Sequence, residues 1–223
     1  MKMFVLSMQW RDLLFAHWPV SAAALRATLP AGLELDLHDG QAWVGVVPFR
    51  MTSVGVPGNS FAELNVRTYV VRDGRPGVWF YSLDAASPLA VRLARRFFHL
   101  NYCDAAMSVS RAGDAIQYSS RRTHRGMAPA ELDVRYAPVG APAVAIPGSL
   151  DYWLMERYCL YAAHGGRIYR GGIRHSPWPL QPAEAEWRTV EMTRGLGFEL
   201  AGPPARLAFA RFVDVRATLL QRL

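Results

Sequence analysis

The residues best suited to chemistry lie in Phe61–Val71, a stretch that alternates between apolar and polar side chains. Successive side chains in an extended strand point to opposite faces. One face would carry Ala62, Leu64, Val66, Thr68 and Val70, and the other would carry Phe61, Glu63, Asn65, Arg67 and Tyr69. The second face, called here the polar row, offers a carboxylate, an amide, a guanidinium and a phenol. Glu63 and Arg67 would lie about 13 Å apart along the strand, so each must find a partner elsewhere.

The chain after this stretch predicts a hairpin, because a segment rich in Asp, Gly and Pro precedes a second β-like run. Pairing of Arg72 with Gly77 would place Arg67 opposite Ser82 and Asn65 opposite Asp84. We therefore expect Ser82 and Asp84 to contact the polar row. The alternative is that this row is the solvated outer face of an antiparallel sheet.

Other segments predict further hairpins and short helices. Asp39-Gly40 is a preferred type I′ turn pair, which predicts a hairpin between residues 33–38 and 41–47. Ser87 can cap a helix that extends to Phe98, with Pro88 at its first position. The buried stripe of that helix is predicted to be Leu89, Leu93 and Phe97. Additional hairpins are expected around residues 112–114 and 165–166, with a short helix near 149–155 and a last strand near 207–215.

Composition limits the class of protein. The chain has 223 residues, 51% of them hydrophobic, which is enough for a substantial core. The net charge is +7, but the arginines are scattered among acids and no nucleic-acid-binding motif accompanies them, so a nucleic-acid partner is not favoured. Two cysteines suit reduced thiols, and no signal peptide or bilayer-length apolar run is recognisable. We expect a cytoplasmic protein without membrane association, and homo-oligomerisation stays open.

Familiar catalytic motifs are missing from the sequence. It contains no phosphate-binding glycine loop, no GxSxG elbow and no HExxH motif. The six histidines are dispersed and the two cysteines are not spaced as a metal-binding pair, so neither a metal nor a cofactor is expected. His175, close to Trp178 in a proline-rich segment, is a candidate general base, and a packed, hydrogen-bonded histidine is the alternative.

Several segments together resemble the YqjF-like family of uncharacterised bacterial proteins, which is similar to acetoacetate decarboxylase. The segments are Ala42–Phe49, Glu63–Val70, Ser82–Asp84, Glu156–Tyr161 and His175–Leu180. They span nearly the whole chain and keep the same order. The resemblance implies a single domain over residues 1–223, mainly β with peripheral helices (α+β), built as an antiparallel β-barrel or cone around a central cavity. The hairpins predicted from sequence patterns are compatible with that fold.

The resemblance also implies that the polar row faces the cavity, because Glu63 matches a cavity-facing glutamate of the decarboxylase. Small barrels with polar interiors typically hold one small ligand. Glu63 is then the candidate catalytic residue. The candidate binding residues are Asn65, Arg67, Tyr69, Ser82, Asp84, Tyr102, His175 and Trp178.

The chemistry of the decarboxylase is not expected to carry over. Acetoacetate decarboxylase forms a Schiff base through a desolvated lysine. The comparable position here lies near Asn101 and Tyr102, neither of which can form an imine, and the only lysine of the chain is Lys2, at a terminus expected to be frayed. The favoured function is a barrel that binds small carboxylates through Arg67. A lysine-independent enzyme using Glu63 as acid or base and a non-catalytic interaction protein remain as alternatives, and the sequence does not decide whether the protein is an enzyme.

Overall fold

The computed structural model describes residues 4–56 and 58–223, so Lys2 lies outside the described residues. The described residues form thirteen strands and three short helices. The strands are β1 (Phe4–Val20), β2 (Glu34–Leu35), β3 (Ala42–Thr52), β4 (Phe61–Arg72), β5 (Arg75–Ala85), β6 (Tyr102–Ala112), β7 (Ala115–Arg122), β8 (Glu131–Pro138), β9 (Cys159–His164), β10 (Arg167–Arg174), β11 (Gln181–Glu191), β12 (Arg206–Thr218) and β13 (Gln221–Arg222). The helices are α1 (Ala22–Arg26), α2 (Pro88–Phe98) and α3 (Leu150–Met155).

The strands form one hydrogen-bonded sheet that closes on itself twice. The closing pairs are β4 with β5 and β10 with β12. The large ring contains β5, β6, β7, β8, β11, β12, β1, β3 and β4, and the small ring contains β5, β9, β10, β12, β1, β3 and β4. Both rings include β12, β1, β3, β4 and β5, which we call the shared sheet. The mainly β, barrel-like fold with peripheral helices is therefore confirmed.

Strands β5 and β12 belong to both rings because each divides its outer edge between two partners. β5 pairs in parallel with β9 near Val78 and with β6 near Asp84. β12 pairs with β11 near Phe209 and with β10 near Ala217. All other strand pairs are antiparallel. The shared sheet consequently has one face in each ring.

Each ring encloses its own hydrophobic core, so both faces of the shared sheet are buried. Leu64 and Val66 of β4 belong to the core of the large ring, whereas Tyr69 of the same strand belongs to the core of the small ring. Helix α3 and the segment that carries Trp178 pack against the core of the small ring. The alternation predicted for β4 is confirmed. The alternative of a solvated outer face is wrong, because both faces of β4 are buried.

The elements predicted from local signals are present. Hairpins β6–β7 and β9–β10, helix α3 and strand β12 form where expected, and the Ser87 hydroxyl accepts a hydrogen bond from the Ala90 amide at 3.4 Å at the start of α2. The predicted buried face of α2 was wrong, because the helix buries Val91 and leaves the predicted stripe 49–66% exposed. That stripe is Leu89, Leu93 and Phe97. No helix in the described part of the chain has the length and apolar character needed to cross a membrane.

The pairing predicted for residues 33–38 was also wrong. The Asp39–Gly40 turn forms with positive φ at both residues, but pairing across it stops at His38 and Gln41. β3 already pairs with β1 on one edge and with β4 on the other, up to Thr68. Beyond Thr68, β3 no longer pairs with β4, and β2 pairs with that edge of β4 instead.

The register predicted between β4 and β5 was wrong as well. The turn is tighter than expected, because Arg72 pairs with Arg75 around Asp73 and Gly74, which both have positive φ. A β-bulge then shifts the register between Val66 and Arg67, leaving Tyr81 as the extra residue of β5. As a result, Ser82 lies opposite Val66 and Asp84 lies opposite Leu64. Both side chains share the face that lines the large ring, on the far side of the sheet from the polar row.

Candidate functional site

The polar row lies on the face of β4 that lines the small ring. Strand β4 is in the interior of the shared sheet, between β3 and β5, which fixes the direction of each of its side chains. Glu63, Asn65 and Tyr69 are buried, with exposures of 1%, 6% and 0%, and Arg67 is partly buried. The row is therefore an interior surface of the protein, and its polar groups are removed from bulk water.

Glu63 is held as a buried carboxyl group by a tyrosine from β6, the strand on the far side of β5. The hydroxyl of Tyr102 donates a hydrogen bond to Oε2 of Glu63 at 2.9 Å. Burial raises the pKa of Glu63 to about 8, the negative charge of Asp84 adds to the rise, and the bond from Tyr102 opposes it. Glu63 is therefore largely protonated at neutral pH, and it can donate a proton or a hydrogen bond there.

Arg67 lies in a cross-strand line with His17 of β1 and Gly45 of β3. His17 is paired with Gly45, and Gly45 is paired with Arg67. A Cβ atom at position 45 would lie 2.9 Å from Nε2 of His17 and 3.4 Å from Cγ of Arg67. Glycine is needed here because the imidazole and the arginine stem occupy the space above its Cα.

A buried hydrogen bond links His17 to Tyr69. Nε2 of His17 lies 2.7 Å from the Tyr69 hydroxyl, and the imidazole is completely buried. Burial lowers the pKa of His17 well below its ordinary value, and the positive charges of Arg67 and Arg206 lower it further. Burial raises the pKa of Tyr69. The His17 imidazole and the Tyr69 phenol are therefore neutral near pH 7.

His175 and Trp178 lie over this face in the segment that follows β10. The His175 ring contacts Trp178 at 4.7 Å between centroids, and Trp178 stacks on Trp10 of β1 at 6.0 Å. The indole N–H of Trp178 donates to the carbonyl oxygen of Met155 at 3.0 Å. Burial lowers the pKa of His175, and the positive charge of Arg67 lowers it further. The charge of Arg67 therefore acts on His175.

Several buried polar atoms around the polar row have no hydrogen-bond partner among the described residues. They are Oδ1 of Asn65, Nε of Arg67, Nδ1 of His17, Nε2 of His175 and Nη2 of Arg157. Buried polar groups are nearly always hydrogen-bonded, and an unsatisfied one costs about 1–3 kcal/mol. Such a concentration on one interior face is the pattern expected of a site that completes its hydrogen bonds with a polar ligand or water.

Two of the predicted binding residues belong to a different site. Asp84 and Ser82 are held by Arg122 of β7 and make no contact with Arg67. Arg122 donates to both carboxylate oxygens of Asp84 at 2.9–3.1 Å and to the Ser82 hydroxyl at 2.8 Å. The side chains of Arg122 and Asp84 are 4% and 0% exposed. The predicted contact across the β4–β5 hairpin is wrong because the β-bulge turns both residues into the large ring.

The structure adds residues that the sequence analysis did not select. Besides His17 and Trp10, it brings in Arg157, which pairs with Asp36 at 2.6 Å and lies 5.2 Å from the centre of the Tyr69 ring. Arg157 stands in one of the segments that carry the family resemblance, and this was its only signal. Among the described residues, no three His, Cys, Asp or Glu side chains come together in an arrangement that could hold a metal ion.

The fold defines the class of protein to which the chain is similar. The chain superposes on a solved structure of acetoacetate decarboxylase with a TM-score of 0.70 and 10% sequence identity, over 99% of this chain and 91% of that one. It also superposes on the enduracididine biosynthesis enzyme MppR complexed with pyruvate, with a TM-score of 0.61 and 12% identity, over 100% of this chain and 91% of that one. At such identities the likeness shows the fold alone, which is acetoacetate decarboxylase-like.

Sequence comparison gives the family. The chain is 44% identical over 219 residues to the uncharacterized protein YqjF of Bacillus subtilis (strain 168), covering 95% of this chain and 90% of the relative. The model of the DUF2071 family, described as an uncharacterized conserved protein, matches residues 7–214. The chain belongs to this family. The resemblance noted in the sequence is thereby confirmed.

Proposed function

We propose that the protein binds a small carboxylic acid inside the small ring, with Arg67 holding the carboxylate. The observation that carries this proposal is the buried Nε of Arg67, which has no hydrogen-bond partner among the described residues. The neighbouring arginines are already committed, Arg157 to Asp36 and Arg206 to Asp151. Asp84, the carboxylate predicted to compete for Arg67, is bound by Arg122 instead.

The chemistry of the site favours an anion over a neutral ligand. A guanidinium offers a planar fork of donors that matches a carboxylate, and such charge-assisted bonds are stronger away from water. The imidazoles of His17 and His175 are kept neutral by burial, which lowers their pKa values, so neither supplies a competing positive charge. The rings of Phe15 and Tyr69 lie 5.5 and 5.8 Å from the guanidinium of Arg67, so aromatic side chains flank it.

A Schiff-base reaction is not part of this proposal. Imine formation needs a primary amine, and Lys2 is the only lysine of the sequence. The position expected to correspond to the reactive lysine lies near Asn101 and Tyr102, neither of which can form an imine, and the Tyr102 hydroxyl is bound to Glu63. We therefore place this chain outside the acetoacetate decarboxylases in function, although it has their fold.

Thermal unfolding with a panel of small carboxylic acids tests the proposal. A ligand at 100 times its Kd stabilises the folded protein by about 2.7 kcal/mol, which raises Tm by several degrees. Arg67→Met should keep nearly the parent Tm without ligand and lose the rise with ligand. Arg188→Met, which removes a 76% exposed arginine, is the matched control and should retain the rise. Absence of any ligand effect in the parent protein, or a full effect in Arg67→Met, contradicts the proposal.

A lysine-independent enzyme is the second candidate, and the raised pKa of Glu63 is the observation that favours it. A carboxyl group with a pKa of about 8 is protonated at neutral pH and is suited to act as a general acid. Turnover of a bound acid should then decline as pH rises through about 8 in the parent protein, and Glu63→Gln should bind the acid without converting it. Equal turnover by the parent and Glu63→Gln would remove Glu63 from the mechanism.

A further inference from the structure

The unpartnered groups near Arg67 are of two kinds, and their difference bears on the ligand. Arg67 contributes a donor, whereas Asn65 and His175 contribute acceptors. We infer that the ligand is a 2-hydroxy acid, whose carboxylate binds Arg67 and whose hydroxyl donates to one of the two acceptors beside it. This inference rests on the proposed function and names the substrate class of the same site.

The first acceptor is Nε2 of His175, and its role follows from the other ring nitrogen. Nδ1 of His175 lies 2.7 Å from the carbonyl oxygen of Ser176. A carbonyl oxygen only accepts, so Nδ1 carries the proton and Nε2 of the neutral ring carries a lone pair. Nε2 is buried and has no partner among the described residues. The group that satisfies it must therefore be a donor.

The second acceptor is Oδ1 of Asn65. Asn65 precedes Arg67 by two residues on the same face of β4, which separates the two by about 7 Å along the strand. Its side chain is 94% removed from solvent, since the residue is 6% exposed, and Oδ1 has no partner in the described part of the chain. A ligand bound to Arg67 would thus lie beside an acceptor on the strand. His175, on the covering segment, contacts Trp178, which packs against Phe15 next to Arg67.

These acceptors distinguish a hydroxyl group from a keto group at the same carbon. The hydroxyl of a 2-hydroxy acid donates one hydrogen bond and so satisfies one of the acceptors, whereas the oxygen of a 2-oxo acid only accepts and satisfies neither of them in a buried site. Aromatic side chains next to the polar groups offer an apolar surface for the body of such a ligand. Phe15 packs at 5.0 Å against Trp178, which stacks on Trp10.

Calorimetric titration with matched acids tests the inference. Mandelate is compared with phenylglyoxylate, and lactate with pyruvate, because the members of each pair differ only in the hydroxyl or keto group. We expect the hydroxy acid of at least one pair to bind tighter by about tenfold or more, the range for leaving a buried acceptor unsatisfied. His175→Phe should reduce that ratio, and His175→Gln, which restores an acceptor, should recover part of it.

Two further variants complete the experiment. Asn65→Leu removes the other acceptor and provides an independent test if His175→Phe does not fold. His164→Gln changes an exposed histidine of β9 and should keep the parent ratio. Equal or tighter binding of the oxo acids by the parent protein overturns this inference and leaves the proposed function standing. Failure of every acid to bind overturns both.

Discussion

Glu63→Gln is the substitution whose effect can be worked out most fully from the structure. The carboxyl group is buried in the small ring, and the glutamine amide keeps its shape and can still accept the hydrogen bond from Tyr102. The change removes the ionisation of the side chain and little else. The difference in stability between the two proteins therefore reports the cost of ionising Glu63.

The sign follows from the shift of the pKa, which burial raises from 4.5 in the unfolded chain to about 8 in the folded protein. Below pH 4.5 Glu63 is neutral in both states and ionisation does not affect folding. Between pH 4.5 and 8 the unfolded chain loses its proton first, so the folded state binds more protons and loses stability as pH rises. The full difference is about 5 kcal/mol, from 1.36 kcal/mol for each unit of the shift.

Urea unfolding of both proteins between pH 5.5 and 8 measures this effect. Over that interval the parent protein should lose about 3 kcal/mol of stability relative to Glu63→Gln. Glu186→Gln, at a residue that is 76% exposed, is the control and should differ little from the parent protein at either pH. A constant difference between the parent and Glu63→Gln would mean that Glu63 ionises in the folded state at ordinary acidity, and the role of Glu63 as a neutral donor would then be refuted.

Two further substitutions test the two sides of the shared sheet. Arg122→Met should lower the free energy of unfolding at pH 7 by about 3–5 kcal/mol, because it leaves the Asp84 carboxylate buried without a counter-ion. Arg121→Met, on the exposed side of β7, is the control. Equal urea midpoints for the parent protein and Arg122→Met would contradict the argument. Gly45→Ala should cost about 1–3 kcal/mol and abolish stabilisation by carboxylates, because the added Cβ collides with His17. An unchanged Tm and an unchanged ligand effect would show that the imidazole can move aside.

Local signals predicted the elements of the fold well. The alternation of β4, the capping hydroxyl of Ser87 and the turn pair Asp39–Gly40 are all present, because each depends on residues that are close in sequence. The amphipathic pattern of α2 was also real, but it did not reveal which side of the helix is buried. The helix packs through the small side chain of Val91, and only the position of α2 against the sheet could show this.

The placement of the candidate site residues was predicted in part, and the errors in placement come from one backbone irregularity. Without the bulge between Val66 and Arg67, Ser82 and Asp84 would lie on the same face as Glu63 and Asn65. One inserted residue reverses the face of everything beyond it, and no pattern in the sequence marks the insertion. His17 and Arg157 were missed for a different reason. They reach the polar row from strand β1 and from the segment after α3, both distant in sequence. The pairing of β1 with β3 brings His17 there, and the packing of α3 against the small ring brings Arg157 there.

The two faces of the shared sheet treat buried charge in opposite ways, and this contrast supports the proposed position of a ligand in the small ring. In the large ring the carboxylate of Asp84 is matched by a guanidinium with several hydrogen bonds, so the pair is complete without any ligand. In the small ring the carboxyl group of Glu63 is neutral near pH 7, and Arg67 has no described carboxylate bound to it. A purely structural role would favour the first arrangement on both faces, because a carboxylate is the partner that best offsets the desolvation of a guanidinium. The incomplete face is therefore the one that an anion from outside would complete.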